Sequence, residues 1–147
     1  MDIPVTEFKR PESVLVVVYT QKGEVLMMER SRPKGFWQSV TGSLEWNELP
    51  LSAARRELRE ETGLLPGRVR SLRMSTRFRI RSPWRDRYAP GSFRNLEHWF
   101  GLELPDRCRI KLDNSEHRQY RWLPWQDAYR VASSYTNRDC IHRIFAV

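Results

Sequence analysis

Ser13 to Tyr19, SVLVVVY, is an unbroken apolar run rich in β-branched residues, the pattern of a strand covered on both faces. Lys22-Gly23 marks a turn, and Glu24 to Glu29 then predicts a second strand, so the two form a hairpin. Phe36 to Gly42, FWQSVTG, reads as one short strand carried by Trp37, Val40 and Thr41, with Trp37 directed into the core. In Arg77 to Arg81 basic and apolar residues alternate strictly, which puts Phe78 and Ile80 on one face of a strand and the arginines on the other. Pro90-Gly91 signals a turn before a strand through His98 to Leu102, and Ser115 to Leu123 leads into another. His98, beside a tryptophan and without a Ser-His-Asp or Cys-His partner set, reads as a packed residue. Pro124 opens a short helix through Val131. A last helix, from about Asn137 to Phe145, buries Ile141, Ile144 and Phe145 at i, i+3 and i+4.

The remaining element carries the chemistry. Pro50 suits a first helical turn and Gly63 the position just past a last one, so the spacing predicts a helix from about Leu49 to Thr62. Leu51, Ala54 and Leu58 form its apolar stripe. Glu57, Glu60 and Glu61, at i, i+3 and i+4, form an acidic edge expected to stay accessible. Like charges at this spacing destabilise by roughly 0.2–0.5 kcal/mol per pair, and the negative end of the helix dipole adds to the cost. A hard divalent cation, held by oxygen ligands and bridging to substrate phosphates, removes that conflict.

A length of 147 residues fits a single domain spanning 1–147, and 39% hydrophobic residues with six tryptophans indicate a packed globule. The first residues, MDIPVTEFKRPES, contain no apolar signal core, and no run is long enough to span a bilayer, so a cytoplasmic protein without a membrane partner is expected. Cys108 and Cys140 match neither a zinc nor a redox spacing and are expected to be reduced. The net charge is +8, with arginine outnumbering lysine 22 to 4, and eight arginines fall between Arg68 and Arg87. That balance suits polyanions. A small enzyme for triphosphates benefits from it as much as a nucleic-acid binder does, and nucleic acid is the less favoured partner. Lys9 and Arg10 at the entrance of the first strand, and Arg30 at the exit of the second, are either solvated charges or phosphate ligands.

The segment Gly42 to Leu64 resembles the Nudix box, G-x5-E-x7-R-E-U-x-E-E-x-G-U with U aliphatic. All nine fixed positions match: Gly42, Glu48, Arg56, Glu57, Leu58, Glu60, Glu61, Gly63 and Leu64. At average residue usage such a coincidence has a probability on the order of 10⁻⁹ per placement. The resemblance implies a Nudix hydrolase: an α/β/α sandwich with a mixed β-sheet, Mg²⁺ as cofactor, and cleavage of a diphosphate linked to another moiety. It makes Glu57 and Glu61 metal ligands, Glu60 a further ligand or base, and Arg56 and Glu48 the structural pair between loop and helix. Asn47 stands where many members have glycine, and asparagine also tolerates the left-handed region.

Further stretches, KRPESVLVVVY, FWQSVTGSLE, RYAPG, RNLEHWF, EHRQYRWL and SSYTNR, are similar to bacterial members of the family that cleave dihydroneopterin triphosphate for folate biosynthesis. This similarity implies that Glu116 completes the metal site and shares the catalytic role. It also implies that Lys9, Arg30, Thr41, Phe78, Arg79, Ile80, Arg81 and Ser134 contact substrate. The box handles only metal and diphosphate, so a hydrolase of nucleoside triphosphates stays open, as does a noncatalytic module that binds nucleotide or RNA. Oligomeric state is not legible.

Overall fold

The computed structural model describes residues 3–146. Its strands are β1 (Glu12–Thr20), β2 (Glu24–Arg30), β3 (Trp37–Gln38), β4 (Val40–Ser43), β5 (Arg70–Arg79), β6 (Arg94–Leu104) and β7 (His117–Pro124). The helices are α1 (Pro50–Thr62), α2 (Trp125–Val131) and α3 (Tyr135–Phe145), with short 3-10 turns at Val5–Glu7 and Ser82–Arg87. All seven strands join one mixed sheet.

β1 is its axis. Along its full length β1 runs parallel to β6, Glu12 opposite Leu96 through Thr20 opposite Leu104, and β6 pairs in turn with antiparallel β5. The hairpin partner β2 meets β1 at Tyr19 and Val25, next to the turn. Below that point the two diverge. β4 takes the free edge of β1 from Ser13 to Val16, while β3 takes the edge of β2 at Met28 and Glu29, and β7 covers the other edge of β2. Residues 37–43 are thus a wedge driven between β1 and β2, and the site lies at that split.

The alternation of a strand sorts the core into two layers. Val14, Val16 and Val18, with Leu26 and Met28, meet Ala53, Ala54 and Leu58 of α1 on one face. Leu15, Val17 and Tyr19, with Val25, Met27 and Trp99, meet Ala128 of α2 and Cys140 and Ile141 of α3 on the other. A helix layer on each side of a mixed sheet is the α/β/α sandwich. Burying each valine of β1 stabilises by about 1.5–3 kcal/mol, so this strand alone contributes much of the core.

Several boundaries differ from expectation, each for a physical reason. The expected single strand from Phe36 to Gly42 is two strands interrupted at Ser39, whose amide donates to Asn137 Oδ1 at 2.8 Å while its hydroxyl accepts from Asn137 Nδ2 at 3.0 Å. α3 begins at Tyr135, earlier than expected, which carries Asn137 inward to make those bonds. On α1, Leu49 is the N-cap and Leu51 is exposed, its place in the buried stripe taken by Ala53. Gly63 closes α1 at φ 73°, and Asn47 has φ 71°, the left-handed geometry its residue type tolerates. β5 ends at Arg79, and Ile80 continues the alternation beyond it, buried with its amide bonded to Phe93. Among the described residues no helix is long and apolar enough to cross a membrane.

Candidate active site

The loop before α1 is held by two guanidiniums, those of Arg56 and Arg10. Arg56 forks onto Glu48, Nε to Oε2 at 2.9 Å and Nη2 to Oε1 at 2.8 Å, and Nη2 also donates to Ser43 O at 3.1 Å. Its remaining nitrogen, Nη1, reaches Glu57 Oε1 at 2.8 Å and Glu60 Oε2 at 3.4 Å. Bidentate pairing of this kind fixes direction as well as distance. It holds the Glu48 carboxyl below its ordinary range. From the other side Arg10 Nη1 donates to the carbonyls of Glu45 and Glu48, both at 3.0 Å. The loop, the start of β1 and α1 are therefore one rigid unit.

The three carboxylates of α1 do not share one environment, and the expected accessible acidic edge is corrected accordingly. The Glu60 side chain is 56% exposed and lies outside the cleft lining. Glu57 is largely covered, its carboxyl lying over Gly42, where an added β-carbon would overlap it. Glu61 is 1% exposed, because α1 packs that edge against the sheet at the split. Neither Glu61 oxygen has a hydrogen-bond partner of acceptable geometry, although the Glu57 carboxyl and the Thr41 amide are near.

Opposite Glu61 stand Glu116 and His117. One ligand atom from each of these three residues falls within 4.8 Å of the others. Glu116, exposed, sits on the loop before β7, which is tied to the end of β2 by a bond from Ser31 N to Glu116 O at 2.8 Å. His117, buried, has Nε2 3.0 Å from Gln38 Nε2 and 3.9 Å from Glu61 Oε1, while its Nδ1 has no partner. Burial, reinforced by Arg30, pushes its pKa down to about 4, so the ring is neutral at neutral pH. Sequence reasoning assigned His117 no role. Its only signal was its place beside Glu116.

Burial pushes the Glu61 carboxyl well above its usual range, and the facing Glu57 and Glu116 push it the same way; burial also raises Glu57. An orphaned, crowded carboxylate set of this kind fits a hard divalent cation. The sign of the linkage makes this testable. Metal-free, the folded protein keeps protons that an unfolded carboxyl releases near pH 4.5, so its stability falls as pH rises above that value. A cation that binds the ionised pair offsets the loss. The rise in Tm on adding magnesium, read by scanning fluorimetry, is therefore expected to be larger at pH 8 than at pH 5, close to the ordinary carboxyl value. Equal shifts at both values would count against this pair as the metal seat.

Glu57 and Glu116 line one side of a cleft of about 850 Å³, with Glu61 buried behind them, and the size suits a nucleotide-like ligand. Lys9, Arg30, Thr41, Phe78, Arg79, Ile80, Arg81 and Ser134 all line it together with Glu57 and Glu116. Burial lowers the pKa of the Lys9 amine, followed by repulsion from Arg87 and Arg30. Lys9, Arg30 and Arg87 thus gather in one wall of the cleft and make a seat for a polyanion, and Arg87 is a member that the sequence reading did not assign. Arg30 lies 5.9 Å from the ring centroids of both Phe36 and Trp84 and donates from Nε to Arg32 O at 2.9 Å, which fixes its direction. Thr41 Oγ1 donates to Val14 O at 2.9 Å, and Ser134, the N-cap of α3, shares a 2.9 Å hydroxyl bond with Thr136. Phe78 and Ile80 turn their apolar face inward, whereas Arg79 and Arg81 are exposed at the rim.

Comparison with known proteins bears on the family and the fold. A NUDIX domain model matches residues 9–143. The chain is 41% identical over 141 residues to the dihydroneopterin triphosphate diphosphatase of Escherichia coli, covering 92% of this chain and 93% of that one. It is 36% identical over 142 residues to the enzyme of the same name from Haemophilus influenzae, covering 93% and 89%. The solved structure of the E. coli dihydroneopterin triphosphate pyrophosphohydrolase superimposes with a TM-score of 0.87 at 40% identity, over 92% of this chain and 95% of that one.

Proposed function

The chain belongs to the Nudix hydrolase family, and from that membership we propose that it hydrolyses dihydroneopterin triphosphate to dihydroneopterin monophosphate and pyrophosphate, a step of folate biosynthesis in the cytoplasm. The observation that supports this reading most is the 41% identity to the E. coli enzyme named for that substrate, sustained over 92% of the chain.

In this reading Glu57, Glu61 and Glu116 hold magnesium, for which the unpartnered oxygens of Glu61 and the crowding of Glu57 and Glu116 against it are suited. When bound, the ion supplies charge neutralisation at the phosphates and acidifies a coordinated water. The chain's own residues do the rest. Lys9, Arg30 and Arg87 draw the triphosphate along the cleft and orient it. Arg56, locked on Glu48, keeps Glu57 aimed inward. Glu116 is better placed than Glu60 to take the proton of the attacking water, because Glu116 faces the cluster whereas Glu60 is engaged with Arg56 outside the cleft lining.

Every triphosphate presents the same phosphates to these cations, so preference among substrates must come from the ring. A panel of triphosphates with separate detection of pyrophosphate and orthophosphate tests this. Dihydroneopterin triphosphate is expected to exceed ATP in kcat/KM by about 10⁴, the scale on which buried polar groups reject a ligand that leaves them unpaired. Pyrophosphate is the expected product. Comparable efficiency on both substrates would leave a general nucleotide hydrolase.

A further inference from the structure

The floor of the cleft carries polar side chains that phosphate and metal chemistry leave unused. Asn95 and Glu97 stand two residues apart on β6, so both project from one face of the strand. Both line the cleft although they are only 1% and 5% exposed. Asn95 Nδ2 donates to Ser13 Oγ at 2.7 Å, but Oδ1, equally buried, has no partner. Glu97 Oε1 accepts from Trp99 Nε1 at 3.0 Å, with Thr136 at its side. These contacts leave acceptor capacity on the carboxylate unused, since each of its oxygens has two lone pairs. Burial accordingly raises the Glu97 carboxyl above its usual range. Buried polar atoms normally have at least one hydrogen-bond partner, and Asn95 Oδ1 is an exception. Leu15 and Ile80, also in the lining, add flat apolar surface nearby.

Resting on the hydrolase reading above, we propose that Asn95 and Glu97 form the specificity end of the cleft and read the amino-pyrimidinone edge of the substrate ring. That edge presents three hydrogens in a row: one on a ring nitrogen and two on the adjacent exocyclic amino group. The Glu97 carboxylate accepts the ring N–H and one amino hydrogen. Asn95 Oδ1 accepts the other, which gives the orphaned oxygen its partner. Pterins and guanine share the edge. Adenine turns a ring acceptor toward the same place and meets a carboxylate with a lone pair, a repulsive contact.

The test compares kcat/KM for dihydroneopterin triphosphate, GTP and ATP in the wild type and in Glu97→Gln, a substitution that keeps the oxygen for Trp99 but replaces an acceptor by a donor. The preference for dihydroneopterin triphosphate over ATP, and that for GTP over ATP, are expected to fall together by about 10². A folded variant that retains the wild-type ratios overturns the subsite while leaving the pterin reading standing. If the wild type itself prefers neither pterin nor guanine to adenine, the pterin reading fails and takes the subsite with it. ITP, which lacks the exocyclic amino group of GTP, needs no variant: the wild type is expected to turn it over at least about tenfold less efficiently than GTP, and equal efficiency contradicts the role of Asn95.

Discussion

Glu61→Gln is expected to lower turnover by about 10³-fold while raising the Tm of the metal-free protein. The glutamine keeps the volume of a side chain that is 1% exposed and removes the formal charge that a cation requires. Loss of one ligand charge at a phosphoryl-transfer site removes several kcal/mol of charge stabilisation, and each factor of ten in rate corresponds to 1.36 kcal/mol. Stability moves the other way. The wild-type carboxyl is buried without a hydrogen-bond partner against Glu57 and Glu116, whereas the amide brings donors to the same neighbours. A gain of about 1 kcal/mol follows. Titrating magnesium against turnover and Tm separates the two effects, since the variant should also lose the magnesium-dependent shift. Turnover like that of the wild type at saturating magnesium would remove Glu61 from the mechanism.

Gly42→Ala is expected to damage the enzyme through Glu57 without touching a charge. The new methyl would occupy the space of the Glu57 carboxyl, which cannot retreat without breaking its 2.8 Å bond to Arg56. Overpacking of this kind costs about 1–3 kcal/mol, and a displacement near 1 Å at a reacting site costs about 10² in rate. Both losses should therefore appear together, a lower Tm and a lower kcat, in contrast to Glu61→Gln. A Gly42→Ala variant with unchanged kcat would mean that the Glu57 position is not critical.

The box and the helix that carries it were legible because a local spacing dictates both. The Pro50 start and the Gly63 stop bound one helix that carries the three glutamates, and the structure gives that helix the expected ends. The hairpin and the two-faced burial of β1 were legible for the same reason. What stayed hidden depends on distant parts of the chain. Nothing in RNLEHWF announces that its strand runs parallel to β1, so Asn95 and Glu97 read only as part of a family likeness rather than as the floor of a cleft. Helical periodicity put Glu61 on an open edge. Only the wedge of residues 37–43 beneath α1, together with the approach of β7, buries it. Leu51 shows the converse: it fits the apolar stripe by spacing, yet no element arrives to cover it.

The parallel pairing of β1 with β6 has a consequence for synthesis and folding. A ribosome must have made the chain to about Leu104 before β1 has its parallel partner, and beyond Ser134 before the last wall of the cleft exists. Closing so long a loop is entropically costly and places the protein among slower-folding, high-contact-order topologies. Until then SVLVVVY, β-prone and uncharged, keeps one edge unpaired and open to aggregation, since β2 and β4 serve only the other. Lys9 and Arg10 just before it, within a chain of net charge +8, are placed to oppose edge-to-edge pairing of nascent copies by repulsion. Lys9, proposed above as a phosphate ligand, and Arg10, which ties down the loop before α1, would thus first serve as gatekeepers of the strand they precede.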